Sequence, residues 1–227
     1  MSDKISRREF VKAGIGASVT AAVVRSKPVR AVVVSSRNGN EFKNGGPKTA
    51  VQEAYARIAR GEDVLDAILA GLTILELDPA EDSVGYGGIP NADGVVQLDS
   101  CVMHGPKKRA GGVAALEGVR TPCLVAKAVM ETTDHHLLVG AGAQWFARHM
   151  GFTIEDDLNT DHSRKLWLEW KRRIDPGHYL DPDKRARAAD RARESMLADG
   201  ILSREHVYGT IHMNAISAKG EICGATT

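Results

Sequence analysis

The residues whose types and placement could do chemistry are Gly209 and Thr210, a pair that follows a long charged segment and begins a strand-like run. A threonine hydroxyl is a weak nucleophile unless a base lies beside it. If the peptide bond before Thr210 is broken, the new α-amine of that residue supplies the base, because its ordinary pKa of about 8 is near the useful range. The bond can break when the Thr210 hydroxyl attacks the Gly209 carbonyl, and we expect a strained backbone there, which glycine tolerates. Gly-Thr pairs are common, so the pair alone is weak support for a self-cleaving hydrolase.

Other reactive side chains do not form a recognisable site of a different kind. Residues 134–136 (Asp-His-His) and 161–162 (Asp-His) lack the spacing of a helical pair of zinc ligands, and adjacent residues on a strand point to opposite faces. No motif brings two carboxylates together in the way that glycosidases require. We therefore expect no metal and no cofactor.

The three cysteines, Cys101, Cys123 and Cys223, also argue against a metal site. They cannot all pair with one another, and no two of them have CxxC spacing. Free cysteines usually pack as small apolar residues, so we expect all three thiols to be buried.

The charge balance gives no reason to expect nucleic acid or an anionic membrane as a partner. The 227 residues carry 30 basic and 29 acidic side chains, a net charge of +1.

Residues 83–88 (Ser-Val-Gly-Tyr-Gly-Gly) are predicted to form a glycine-rich turn. The turn lacks the lysine of a phosphate-binding loop, so it does not indicate a nucleotide site.

Apolar periodicity predicts the elements that would hold Thr210 in place. Strands are predicted at residues 29–36, 95–103, 110–116, 136–140, 210–217 and 222–227. Helices are predicted at residues 48–60, 64–77, 122–132, 141–150 and 160–174. We expect the first strand to be buried and Tyr55 to face inward on the first helix. Residues 175–206 are charged and poor in apolar side chains, which predicts an exposed linker or a solvated helix face. The last two strands form a hairpin, which is marginal by itself.

The N-terminus reads as an export signal. Residues 6–12 (Ser-Arg-Arg-Glu-Phe-Val-Lys) resemble a twin-arginine motif, and a weakly apolar stretch follows at 13–24. That stretch is too short to span a bilayer permanently. We expect a signal peptide over residues 1–26 and a periplasmic or secreted protein, with an ordinary basic amphipathic terminus as the alternative.

Ten stretches between residues 29 and 227 share their order with those of one protein family. They are residues 65–67 (LDA), 82–91 (DSVGYGGIPN), 98–103 (LDSCVM), 125–133 (VAKAVMETT), 137–140 (LLVG), Ala147, 151–152 (GF), 209–211 (GTI), 219–222 (KGEI) and 224–227 (GATT). The chain thereby resembles the glycosylasparaginases, within the broader group of plant-type asparaginases. The stretches around the glycine-rich turn and around Thr210 are the most specific.

The resemblance implies a fold, a processing step and a reaction. The fold would be the four-layer αββα sandwich of N-terminal-nucleophile hydrolases, an α+β fold. Cleavage between Gly209 and Thr210 would give an α subunit of residues 27–209 and a β subunit starting at Thr210, assembled as an (αβ)2 dimer. Thr210 would attack the side-chain amide of an asparagine derivative, by default N4-glycosylated asparagine, and water would release aspartate. Ser83 would lie near the Thr210 amine, with a turn-capping role as an equal alternative.

The sequence departs from this family at three positions. Gly209 stands where many members have an aspartate that is proposed to assist self-cleavage. Arg37, followed by Asn38, stands where glycosylasparaginases have a substrate-contacting tryptophan. A cation cannot replace an indole face, so this possible substrate pocket keeps an L-asparaginase or isoaspartyl dipeptidase open as alternatives. His212 replaces a common glycine, and it either tunes the site or merely packs beside it.

The resemblance also implies active-site residues beyond Thr227. The family's second active-site threonine would follow directly, and its substrate-binding Arg and Asp and its oxyanion donors would lie further on. Residues 210–227 would be only the start of a β subunit, so we expect the chain alone to be inactive. A non-catalytic homologue that keeps the sandwich is the alternative from a different functional class.

Overall fold

A computed structural model describes residues 30–174, 182–203 and 209–227. The signal predicted at residues 1–26 lies outside these residues, as do parts of the segment predicted as a linker. Among the described helices, none is long and apolar enough to cross a membrane.

Within these residues, six strands form one mixed sheet in the order β1-β5-β6-β2-β3-β4. They are β1 (Val32–Ser35), β2 (Leu98–His104), β3 (Arg109–Leu116), β4 (Leu138–Val139), β5 (His212–Ile216) and β6 (Ile222–Thr226). Neighbouring strands are antiparallel except for β3 and β4, which are parallel.

The hairpin that follows Thr210 lies in the middle of this sheet. Strand β5 pairs with β1 on one side and with β6 on the other, and β6 also pairs with β2. Thr226 is therefore opposite His212 on one neighbour and opposite Cys101 on the other. A ribbon that would be marginal alone is stabilised here by a strand on each side.

The described residues contain six α-helices, and each predicted helix is present within about two residues of its predicted ends. They are α1 (Ala50–Ala59), α2 (Val64–Glu76), α3 (Pro122–Thr132), α4 (Gly140–His149), α5 (Asp161–Arg173) and α6 (Pro182–Ala198). Local signals set their starts: the Thr49 side chain caps α1, the Asp63 carboxylate caps α2, and Pro122 occupies the first turn of α3.

The main core lies between one face of the sheet and helices α1 to α4. Leu65, Ile68 and Leu72 of α2 are fully buried there against Met213 and Val102 of the sheet. The α+β class is confirmed. Within the described residues, the architecture is one helical layer on one sheet, without the second sheet of the sandwich.

Three expectations about burial were wrong, and two of them concern the other face of the sheet, which is open. Val32 and Val34 are 46% and 63% exposed, so the prediction of a fully buried first strand was wrong. Cys101 points to the same open face and is exposed, whereas Cys123 and Cys223 are buried. Tyr55 is 50% exposed, because the buried stripe of α1 is narrower and consists of Ala50, Ala54 and Ile58.

The segment predicted as an exposed linker contains helix α6. Its side chains at Arg187, Arg191 and Arg193 are exposed, in agreement with a solvated basic face. Ala188, Ala192 and Met196 are buried, so the opposite face of this helix packs against protein.

Candidate active site

Thr210 lies just before β5, where a pair of backbone hydrogen bonds fixes its neighbour. The Ile211 amide donates to the Thr227 carbonyl at 2.9 Å, and the Thr227 amide donates to the Ile211 carbonyl at 3.0 Å. Thr210 itself is exposed, and its Oγ1 lies 2.5 Å from the carbonyl oxygen of Gly209. The hydroxyl thus donates a hydrogen bond to the carbonyl group whose carbon atom it would attack in self-cleavage.

A cavity of about 270 Å³ contains Thr210 and brings together five separate parts of the chain. They are the glycine-rich turn, the start of β2, Val113 of β3, Leu137 just before β4, and the ends of the last hairpin. The lining includes Ser83, Gly85, Asp99, Ser100, Cys101, Gly209, Thr210, Thr226 and Thr227. Five residues of the wall thus carry hydroxyl groups, and they lie beside apolar side chains such as Leu98 and Leu137.

Backbone contacts hold the glycine-rich turn against the end of helix α2. Gly85 has a φ of 62°, and the Tyr86 amide donates to the Glu76 carbonyl at 2.7 Å. The Arg120 guanidinium lies 3.7 Å above the centre of the Tyr86 ring and forms two hydrogen bonds to Glu155. These contacts of Gly85 and Tyr86 hold the glycine-rich turn in place beside the cavity.

Ser83, predicted near the active centre, lines the same cavity as Thr210. Its hydroxyl donates to the carboxyl group of Glu81, and its amide donates to Glu81 Oε1 at 2.9 Å. Glu81 is buried, and this burial raises the pKa of its carboxyl group, against the opposing effect of the Ser83 hydrogen bonds. The Glu81 carboxyl thereby sets the direction in which the Ser83 hydroxyl points.

A second acid, Glu76, lies fully buried behind the cavity at the end of α2. Its Oε1 accepts from the Thr227 hydroxyl at 2.7 Å and from the Cys123 amide at 3.1 Å, and its Oε2 lies 3.0 Å from Cys123 Sγ. Burial raises the pKa of Glu76 to about 7, and the hydrogen bonds from Thr227 and Cys123 oppose that rise. Burial and the Glu76 carboxyl in turn raise the pKa of the Cys123 thiol well above its usual value, so the thiol stays protonated and donates.

His212 reaches the cavity wall through Thr226. The Asn214 amide nitrogen lies 2.6 Å from Nε2 of the imidazole, and Nδ1 lies 2.5 Å from Thr226 Oγ1. In this arrangement Nε2 accepts, so the proton is on Nδ1 and is donated to Thr226. His212 therefore contacts a residue of the cavity wall but does not itself line the cavity.

The sequence predicts a possible substrate pocket at Arg37 and Asn38. Neither is among the described residues that line the cavity containing Thr210. Both belong to a short 3-10 helix, Arg37–Asn40. The Arg37 guanidinium pairs with Glu41 at 2.5 Å, and Asn38 is buried.

The backbone of Gly209 is not in the left-handed region of φ, and a Cβ placed on it would meet no atom within 4 Å. The strain expected at the bond before Thr210 stays a prediction. The described residues also contain no group of three or more His, Cys, Asp or Glu side chains able to hold a metal ion.

Sequence reasoning missed Glu76, Glu81 and Thr227 as parts of the site. A signal for Glu76 was present, because it stands four residues after Leu72 and seven after Leu69 on the apolar stripe of α2. A carboxyl at such a position must be buried and needs donors. The identity of those donors depends on residues far away in the chain.

The raised pKa of Glu76 predicts a pH-dependent stability. Because the folded-state pKa of about 7 exceeds the usual 4.5, the stabilisation is present below pH 4.5 and is lost as the pH rises through 7. The loss over that range is about 3 kcal/mol. Urea unfolding of wild type and Glu76→Gln at several pH values measures it, because the other titrating groups cancel in the difference. A pH-independent difference between the two proteins would contradict the assignment.

Known proteins resemble this chain over most of its length. The sequence model of the asparaginase family matches residues 30–227. An N(4)-(β-N-acetylglucosaminyl)-L-asparaginase of Elizabethkingia miricola is 38% identical over 175 residues, which are 77% of this chain and 44% of that protein. A plant-type L-asparaginase of Pyrococcus abyssi is 41% identical over 132 residues, 58% of this chain and 42% of that protein.

A third relative aligns with nearly the whole chain. The isoaspartyl peptidase/L-asparaginase of Rattus norvegicus is 33% identical over 220 residues, 92% of this chain and 59% of that protein. The chain thus spans about half the length of these relatives. Because the family model matches residues 30–227, the chain belongs to the asparaginase family of N-terminal-nucleophile hydrolases.

Proposed function

We propose that the protein is a self-cleaving threonine amidohydrolase that releases aspartate from the side-chain amide of N4-glycosylated asparagine. The observation that carries the proposal is the position of Thr210 Oγ1, 2.5 Å from the Gly209 carbonyl oxygen and inside the cavity that also contains Ser83. Family membership supports the reaction class, and the relative from Elizabethkingia miricola supports this substrate.

Self-cleavage would begin with attack of Thr210 Oγ1 on the Gly209 carbonyl carbon. The C–N bond then breaks as the Thr210 nitrogen takes up a proton, and the product is an ester between Gly209 and the threonine side chain. Water hydrolyses this ester and leaves a Gly209 carboxylate and a free Thr210 amine. The exposure of Thr210 fits this last step, because water must reach the ester.

Turnover would use the same hydroxyl with the new amine as its base. Thr210 Oγ1 attacks the side-chain carbonyl of the substrate, and the leaving nitrogen takes up the proton that the amine removed. Water then hydrolyses the acyl-enzyme and releases aspartate. A cavity of about 270 Å³ suits the aspartyl part of such a substrate, with the leaving group directed toward solvent.

Arg37 supports a second candidate, an L-asparaginase or isoaspartyl dipeptidase. Arg37 stands where glycosylasparaginases are expected to have a tryptophan that contacts the substrate, and its guanidinium is paired with Glu41. The relatives from Pyrococcus abyssi and Rattus norvegicus carry these other activities in their names.

Aspartate release from three substrates decides between these candidates. The protein, expressed from its complete reading frame, is supplied in parallel with GlcNAc-asparagine, asparagine and a β-aspartyl dipeptide. The proposal expects the highest kcat/KM for GlcNAc-asparagine. A preference for either other substrate would favour the second candidate, and inactivity on all three would support a non-catalytic homologue.

Replacement of Gly209 tests whether the missing aspartate limits self-cleavage. Because a side chain at Gly209 meets open space, Gly209→Asp should fold normally. A carboxylate acting as general base there should speed scission by about a hundredfold. The matched control is Gly209→Asn, which has the same shape without the base. Gel electrophoresis of samples taken over time measures the scission rate of each variant. Equal rates for the two variants would show that the carboxylate does not assist scission.

A further inference from the structure

Glu76 is a fully buried carboxyl group that faces three donors from two distant parts of the chain. Cys123 supplies two of them at the start of α3, its amide and its thiol. Thr227 supplies the third, with the shortest distance of the three, 2.7 Å. The acid therefore links the end of α2 to the start of α3 and to the residue that follows β6.

Thr227 connects this acid to Thr210 by two further steps. Its backbone exchanges both hydrogen bonds with Ile211, at 2.9 and 3.0 Å, and Ile211 is the residue bonded to Thr210. Ile211 is itself fully buried, so its position is fixed by packing as well. Movement of Thr227 would be passed to Thr210 through this pair.

We propose that Glu76 is a positioning residue that holds Thr210 in place through Thr227 and Ile211. The catalytic consequence rests on the function proposed above, whereas the structural consequence does not. The residue acts as a hydrogen-bond acceptor behind the cavity wall and touches no substrate.

The need for an acceptor explains why an acid occupies this apolar position. An aliphatic side chain here would leave the Cys123 amide and the Thr227 hydroxyl without their acceptor in the protein interior, which is costly. The other acceptor that the structure gives the Thr227 hydroxyl, the Asp99 carbonyl, is more distant at 3.4 Å. Glutamine keeps one oxygen and can still accept at the Oε1 position, so the two replacements separate acceptor function from size.

Hydrogen exchange tests the structural step without any chemistry at Thr210. We expect Glu76→Met to speed exchange of the Ile211 and Thr227 amides by about tenfold relative to the amides of the β2–β3 ladder. Glu76→Gln should restore slow exchange. Cys123→Ala, which removes only the thiol donor, should leave the exchange of both amides unchanged.

Thr227→Val removes the same hydrogen bond from its other end and keeps the side-chain shape. It should reproduce the exchange pattern of Glu76→Met, and it provides the test if Glu76→Met does not fold. Unchanged exchange at Ile211 in the folded variants, or equal defects in Glu76→Met and Glu76→Gln, would overturn the proposal.

The rate of scission after Gly209, and kcat and KM for aspartate release, test the catalytic step. We expect Glu76→Met and Thr227→Val each to lower the scission rate and kcat by about tenfold with little change in KM, and the double variant to be no slower than the slower single variant. Multiplying effects would show that Glu76 does not act through Thr227. A wild-type protein without scission or turnover would defeat the proposed function, while the exchange experiment would still decide the role of Glu76.

Discussion

Thr210→Ala is expected to yield one uncleaved polypeptide without amidase activity. The substitution removes the only atom that both proposed reactions use as nucleophile, Oγ1, so scission and turnover should fall by at least about 10⁴-fold together. Because Thr210 is exposed, the variant should still fold, which circular dichroism checks. Electrophoresis measures scission, and aspartate release measures turnover.

Thr210→Ser is the matched control for this experiment, since it keeps a hydroxyl at the same position. We expect it to cleave and to turn over substrate, at lower rates than wild type. Scission after Gly209 in Thr210→Ala would show that another group supplies the nucleophile, and the account of the site would then be wrong.

Gly85→Ala should be among the most destabilising single substitutions in the chain. Gly85 has a φ of 62°, which alanine adopts at a cost of about 1–2 kcal/mol. The new Cβ would also overlap the backbone of Glu76, which cannot move without shifting the end of α2. We expect a loss of about 4 kcal/mol or more in the free energy of unfolding.

Gly45→Ala separates the two causes of this loss. Gly45 has a similar φ of 70°, but a Cβ there meets no atom within 4 Å. It should therefore lose only the backbone contribution, about 1–2 kcal/mol. Urea unfolding of both variants makes the comparison, and equal losses would mean that the contact with Glu76 does not restrict the turn.

Local patterns predicted the helices well. Helix α3 begins and ends where the sequence predicts, because Pro122 marks its first turn and the apolar spacing runs unbroken to its end. Helix α2 likewise follows from its capping acid, Asp63, and its leucine stripe. These signals act between residues a few positions apart, so a single sequence contains them.

The arrangement of the strands depends on contacts that no local pattern encodes. The alternation of apolar and polar residues predicts a strand that includes residues 212–216. It does not predict that β5 pairs with β1 or that β6 pairs with β2. The exposure of Val32 and Val34 has the same origin, because burial of a strand requires a layer on each face.

Of the predicted site residues, those that belong to recognisable stretches are the ones that line the cavity. Thr210 and Ser83 lie in such stretches, and the structure brings both into one cavity. Glu76 reaches Thr227, 151 positions away, and Cys123, 47 positions away. Contacts between residues so far apart in sequence form only in the folded chain. The sequence therefore shows an acid on an apolar stripe but does not show which donors it meets.

The N-terminal sequence of the folded protein tests the central claim most directly. Expressed from its complete reading frame, purified and confirmed to be folded, the protein should contain a chain that begins with Thr210-Ile211-His212 and a second chain that ends at Gly209. Intact mass should show that the two chains together exceed the precursor by one water. A folded protein that remains a single chain, or one cut at a different bond, would contradict the assignment of Thr210 as the nucleophile.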